Sequence, residues 1–263
     1  MTFGSRSAAE VVVHPDKNSL AAAVAARLVV RVLDAQVRRG RASVVLTGGT
    51  VGIQLLREVA SSPASHAVDW SRVDLWWGDE RFVTSDDGDR NAVQAREALL
   101  DTLATQGLRE DAVHVMPATD DADVDNPADP DAAAARYAAE LAEAARAEGV
   151  GGSVPVFDVL MLGVGPDGHV ASLFPEHPSL KEGQEAGREV IAVRDSPKPP
   201  PTRLSLTLPV ITSAEEVWLV VGGADKADAV AEALAGPGRL PASLVSGTRR
   251  TLWLLDRDAA SQL

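Results

Sequence analysis

The feature that most narrows the fold of this chain is a rhythm. Short, continuous apolar runs alternate with longer segments of helical periodicity. The runs are ASVVLTGG (42–49), RVDLWWGDE (72–80), VFDVLMLG (156–163), EVIAV (189–193), EEVWLVVGG (215–223) and RRTLWLLD (249–256). Around them, residues 18–40, 51–60, 91–103, 131–149 and 224–236 space their apolar residues for one helix face. Asp16, Asn18 or Ser19 can cap the first helix and Gly40 can stop it; Asn91 can cap the third and Gly149 can stop the fourth. A strand that is apolar at every position needs cover on both faces. The alternation therefore predicts an α/β fold, an open, mainly parallel, twisted sheet with helices on both faces. No fixed-period repeat is present.

At 263 residues the chain is long enough to bury a large core, and residues 1–263 are read as one α/β domain. Residues 1–8 read as a frayed tail and 118–131, ATDDADVDNPADPD, as an acidic connection. That connection places Asp121, Asp123 and Asp125 at alternate positions, like a calcium loop. Asn126 stands where such a loop needs Gly, and Ala132 where it needs Glu, so no metal site is expected there. With no cysteine there is no disulfide, thiolate nucleophile or Cys-ligated zinc. A net charge of −13 argues against nucleic acid and anionic membrane as partners, but leaves room for a local cationic pocket. The opening MTFGSRSAAE has no apolar signal segment, and no run is long enough to span a bilayer. A cytoplasmic protein, monomeric or a small homo-oligomer, is the expectation.

Ligands of open α/β sheets bind beyond the carboxyl ends of the strands. Three polar clusters fall there: 47–50, 78–81 and 163–169. The third belongs to LGVGPDGHVASLFP (162–175). Its Gly163, Gly165 and Gly168 satisfy a G-x-G-x-x-G pattern, but Asp167 inside a pyrophosphate cradle would repel the phosphates. Glu182 and Glu185 lie at the distance of a ribose-binding acid, yet neither clearly ends a second strand. The other reading makes His169 a general base, with Asp167 orienting it or shaping the turn, while Gly165 and Gly168 let the backbone approach a substrate. His169 is expected at the start of a helix, HVASLF.

The remaining candidates are anion holders. Thr47, Gly48, Gly49 and Thr50 precede a helix and can offer free backbone N–H groups to a phosphate. Asp79 and Arg81 follow a strand, and Arg81 can fork onto a phosphate or carboxylate. DSPKPPPTRLSLT (195–207) reads as a stiff loop presenting Lys198 and Arg203, and VVGGADK ends a strand beside Lys226. G-x-S-x-G, P-loop and H-E-x-x-H patterns are absent. His14, His66, His114 and His177 read as surface or structural.

Taken together, LTGGT, WWGDERFV with Asn91 following, FDVLMLGVGPDGHVASLFP, SPKPPPTRLSLTLPVI and VVGGADKADAV resemble the 6-phosphogluconolactonases over nearly the full chain. The resemblance implies a modified Rossmann-like sheet shared with sugar-phosphate isomerases and deaminases. It also implies hydrolysis of 6-phospho-D-glucono-1,5-lactone in the pentose phosphate pathway, without metal or organic cofactor. Glucosamine-6-phosphate deaminases are similar too, but their motif continues Ile-Ala-Phe-Asn-Glu-Pro. Here Phe174 stands in place of that Glu, which disfavours ring opening. A catalytically silent sugar-phosphate regulator on the same sheet is the non-enzyme alternative. The family's Ser-Gly-Gly-Ser-Thr-Pro block reads Thr47-Gly48-Gly49-Thr50-Val51-Gly52 here.

Overall fold

The computed structural model describes residues 9–122, 126, 128–185 and 187–263. The tail reading of 1–8 and the Asp123 and Asp125 positions of the calcium-like run lie outside the described residues. The chain opens with β1 (Glu10–His14) and the long helix α1 (Lys17–Arg39). Asp16 caps α1 by accepting from Ser19 N–H at 2.8 Å, and Gly40, at φ 77°, ends it. Then come β2 (Ala42–Leu46), α2 (Gly49–Ser61), β3 (Val73–Trp77) and a short β4 (Asp79–Arg81). A helix follows as α3 (Asn91–Ala95), widens to π geometry over Arg96–Leu100 and returns as α4 (Asp101–Ala104). The middle of the chain holds β5 (Val113–His114), α5 (Pro130–Glu148), β6 (Val159–Leu162) and α6 (Pro178–Glu182). It closes with β7 (Val190–Val193), β8 (Arg203–Leu206), α7 (Leu208–Ser213), β9 (Glu216–Val221), α8 (Ala227–Leu234) and β10 (Arg250–Asp256).

Seven strands form one wholly parallel sheet in the order β1-β10-β9-β6-β2-β3-β5. Alternate residues of each strand enter opposite cores, which is why the runs are apolar throughout. Val44, Leu46, Val159 and Met161 join α1, α2 and the α3–α4 helix on one face. Val45, Leu160, Leu162 and Val217 meet residues of α5, α7 and α8 on the other. This is the open, doubly covered sheet that the alternation predicts.

Four local expectations are corrected. The run 72–80 is not one strand. It breaks at Gly78, and β4 joins β8 and β7 in a separate antiparallel sheet. Residues 203–206, read as part of a stiff loop, are the central strand of that sheet. His169 starts no helix: Ala171 takes φ 48° and Val170 bridges Leu173, so the chain turns tightly instead. Asn91 does not cap its helix; Arg90 holds the cap position, and the Asn91 side chain donates to the Asp79 carbonyl at 2.9 Å.

Candidate active site

The sheet order places a topological switch between β2 and β6: the chain leaves β2 toward β3 and β5, then returns on the other side as β6. In open α/β sheets a ligand crevice forms at the carboxyl ends of such a pair. The Thr47 hydroxyl ties the two strand ends, accepting from Gly163 N–H at 3.2 Å. A cavity of about 320 Å³ opens there.

His169 and Asp167 form its chemical centre. His169 Nδ1 lies 2.5 Å from Asp167 Oδ1, and the imidazole is largely buried. A carboxylate on Nδ1 fixes that nitrogen as the N–H donor and leaves Nε2 as the ring's free base. Burial pushes the Asp167 carboxyl upward, but the hydrogen bond and charge of His169, with Lys198 behind them, hold it down at about 2. Asp167 therefore stays ionised beside His169. Lys198 Nζ stands 3.9 Å from the same carboxylate oxygen, which places this cation at the His169 end of the cavity.

The glycines of the turn serve this pair. A Cβ on Gly165 would fall 2.0 Å from His169 Cε1 and 2.5 Å from Asp167 Oδ1, so only glycine leaves room for both side chains. Gly168, at φ 79°, lets the chain reverse, and its N–H donates to the Gly165 carbonyl at 2.9 Å. Gly168 itself faces Leu240 rather than the cavity. Behind His169 lies Phe174, 4.6 Å between ring centroids and fully buried, with Arg203 over its ring at 5.8 Å. An apolar wall thus stands where the deaminase pattern has its acid.

Another part of the lining is a nest of donors. Gly48 holds the cap position of α2 with no side-chain cap, so the first N–H groups of that 13-residue helix face the cavity unclaimed by a cap. Gly48 packs on Asn91 so closely that a Cβ would meet its Oδ1 at 1.9 Å. Val51 and Gly52 replace the family's Thr-Pro pair inside the first turn of α2, where Gly52 lies against the Thr47 carbonyl. Arg81 lines the cavity, gives one nitrogen to the Asp89 carbonyl and keeps a buried Nε with no partner among the described residues. Its position is set by Glu80, a fully buried carboxylate accepting from the N–H groups of Arg81, Asn91 and Ala92. Burial raises the Glu80 carboxyl against the pull of Arg90 and these amides.

The structure thus gathers Thr47, Gly48, Gly49, Thr50, Asp79, Arg81, Gly165, His169, Lys198, Arg203 and Lys226 around one cavity. Asp167 sits behind His169. Asp79 is steered by the Ser172 hydroxyl, which donates to its carboxylate at 2.6 Å. Arg203 is mainly a staple: its Nε and Nη2 bind the carbonyls of Lys198, Pro199 and Pro200, holding the Lys198 loop in place. Lys226 pairs with Asp225 at 2.5 Å. Two lining residues with polar side chains escaped the reading of binding candidates. Lys17 follows β1, a strand short enough to be overlooked, so HPDK was not recognised as a fourth strand-end cluster. Asn91 was read as a cap because an Asn before an apolar helix is the usual cap signal.

A His–Asp pair on a glycine turn, with a donor nest at the switch point of a parallel sheet, defines an α/β enzyme for a small anionic molecule. The family model described as glucosamine-6-phosphate isomerases/6-phosphogluconolactonase matches residues 15–253. A 6-phosphogluconolactonase of Streptomyces coelicolor is 56% identical over 97% of this chain and 94% of its own. That of Mycobacterium tuberculosis is 47% identical over 95% of this chain and 97% of its own. The solved 6-phosphogluconolactonase of Trypanosoma brucei, 26% identical, superposes with a TM-score of 0.77 over 97% of this chain and 98% of its own. A monomeric glucosamine-6-phosphate deaminase, 18% identical, shares the fold with a TM-score of 0.74 over 97% of this chain and all of its own, 100%. The chain belongs to the glucosamine-6-phosphate isomerase/6-phosphogluconolactonase family.

Proposed function

We propose that this chain hydrolyses 6-phospho-D-glucono-1,5-lactone to 6-phosphogluconate, with His169 as general base. The observation that carries the mechanism is the His169–Asp167 pair, which leaves Nε2 free at the cavity wall. His169 Nε2 takes a proton from water as the water oxygen bonds to the lactone carbonyl carbon. The carbonyl oxygen becomes an oxyanion, and the Lys198 ammonium at that end of the cavity offsets its charge. The intermediate then collapses: the bond from C1 to the ring oxygen breaks, and the imidazolium returns its proton to that oxygen. The products are a carboxylic acid, which ionises, and a free hydroxyl. Asp167 stabilises the imidazolium in between and never needs to accept the proton itself. The α2 N-terminus and Arg81 hold the phosphate at the far end.

The activity reading is supported by the curated relatives, four of which, at 44–56% identity, are named 6-phosphogluconolactonase. The Phe174 wall behind the base supports hydrolysis over deamination. The test generates the lactone in situ with glucose-6-phosphate dehydrogenase and follows its loss above the spontaneous rate. A large acceleration that survives EDTA is expected. No acceleration, with tight 6-phosphogluconate binding, would mean a sensor instead.

A further inference from the structure

Helix α1 breaks the usual division of a surface helix into an apolar and a polar face. Its inner face packs on the sheet through Leu20, Val24, Leu28 and Val32. Its outer face is apolar as well. Val30 is 57% exposed and Val37 90%, the two most exposed valines of the described residues. With Leu33, which is half-buried against the core beside them, they form a bulky stripe at the C-terminal half, and Ala22, Ala23 and Ala26 continue it toward the N-terminus.

Charge sits along one flank of this stripe only. Arg27 and Asp34 are seven residues apart, so they share that flank about 10 Å from each other along the helix axis. Neither has an ion-pair or side-chain hydrogen-bond partner among the described residues. The other arginines of α1 are paired: Arg31, Arg38 and Arg39 all reach carboxylates.

We propose that α1 is a homodimer surface, on which a second copy packs its own α1 antiparallel across a two-fold axis. Antiparallel pairing about the midpoint between Val30 and Arg31 sets Arg27 of one copy against Asp34 of the other, twice. The two-fold keeps like flanks together, so residues on one flank meet each other. The same pairing lays Val37 and Leu33 over Ala23 and Ala26 of the second copy, large on small. A parallel pair would do the opposite, with Arg27 on Arg27 and Val37 on Val37. The occupant that fits both the shape and the charge of the stripe is therefore the stripe itself, reversed. A single-helix contact is small for a protein interface, so the dimer is a concentration-dependent one.

Sedimentation velocity over a range from about 1 to 200 µM tests this. The wild type is expected to move from a 27.5 kDa monomer toward twice that mass as concentration rises. Arg27→Glu and Asp34→Arg should each raise the dimer Kd at least tenfold, because each sets like charges opposite. Mixing these two variants should restore dimers, since the mixed pair again has opposite charges facing each other at both contacts, in the wild-type sense at one and reversed at the other. Val30→Glu/Val37→Glu should be monomeric with lactonase activity unchanged, because neither residue approaches the cavity. A wild type that stays monomeric throughout overturns the proposal, as does a dimer insensitive to both charge variants. Loss of the dimer in Val13→Lys alone also overturns it, by moving the contact to the exposed edge strand β1.

Discussion

The two edges of the parallel sheet hold the same kinds of residue in opposite states. At the amino edge the cations are paired with carboxylates, although Arg39 keeps a buried Nε without a hydrogen-bond partner among the described residues. Asp158, 1% exposed, accepts from Arg38 at 2.8 Å, Arg39 at 2.6 Å and Ser43 N–H at 3.0 Å. Arg31 reaches Glu215 and Glu216, and Arg41 reaches Asp74 and Glu148. At the carboxyl edge, Arg81 gives a nitrogen to the Asp89 carbonyl and reaches no carboxylate among the described residues, Lys198 stands 3.9 Å from its nearest carboxylate, and α2 begins with uncapped amides. Buried charge that is paired holds structure in register; charge left short of partners is available to a ligand. In a chain of net charge −13, that second condition has to be built by exclusion.

The sharpest break of this comparison is at His169. His169→Ala should lower kcat by roughly 10²–10⁴, the usual contribution of a positioned base, with unfolding unchanged. A near-full kcat would remove the base from the mechanism. The mirror experiment lies at the other edge. Asp158→Ala leaves Arg38, Arg39 and the Ser43 amide without their acceptor and should cost about 3–5 kcal/mol in denaturant unfolding. Activity per folded molecule should hold. If Asp158→Ala instead lowers kcat without loss of stability, the division between the edges is wrong.

Smaller effects sharpen the picture. Arg81→Ala should raise KM about tenfold or more while changing kcat little, because on this account it holds the phosphate, which is the same in ground state and transition state. Unchanged kinetics would take Arg81 out of the site. The smallest expected effect is a pH dependence at the amino edge. His114 stacks on Trp76 at 3.7 Å and lies between Asp74 and Glu140. Burial lowers its basicity, but hydrogen bonds and charge from Asp74 and Glu140 outweigh that and raise it. A raised value stabilises the fold fully below the unfolded imidazole value of about 6.5 and loses that contribution as pH rises through the folded one. Thermal unfolding should therefore show a modest decline in Tm on the alkaline side of about pH 6.5 that His114→Phe flattens. A wild-type slope identical to that of the variant would contradict it.

Much of the fold was written in the apolar runs, because strands buried on both faces need no polar alternation. What the runs hid was where a run changes sheets. Gly78 makes that change through its own backbone, donating to the Leu46 carbonyl and accepting from Leu206 N–H, and no side-chain pattern marks it. The site was legible where glycines, acids and His169 crowd a strand end. Lys17 was hidden because β1 is an edge strand with Val11 and Val13 exposed, and an edge strand need not read as a buried run. The misread helix at His169 shares a cause with the misread cap at Asn91. Both residues have their side chains committed to the site, and local propensity carries no trace of that commitment.

On the proposed mechanism the loop after β6 has G-x-G-x-x-G spacing for the sake of a base, and one measurement tests that directly. It compares kcat for Gly165→Ala, His169→Ala and the two together. A methyl group added at Gly165 would collide with the His169 ring, so the single glycine variant should lose most of the activity that His169→Ala loses. In the double variant the methyl has no ring left to displace, and kcat should fall no further than in His169→Ala. A double variant whose losses multiply would contradict the account, because Gly165 would then act on catalysis independently of the base.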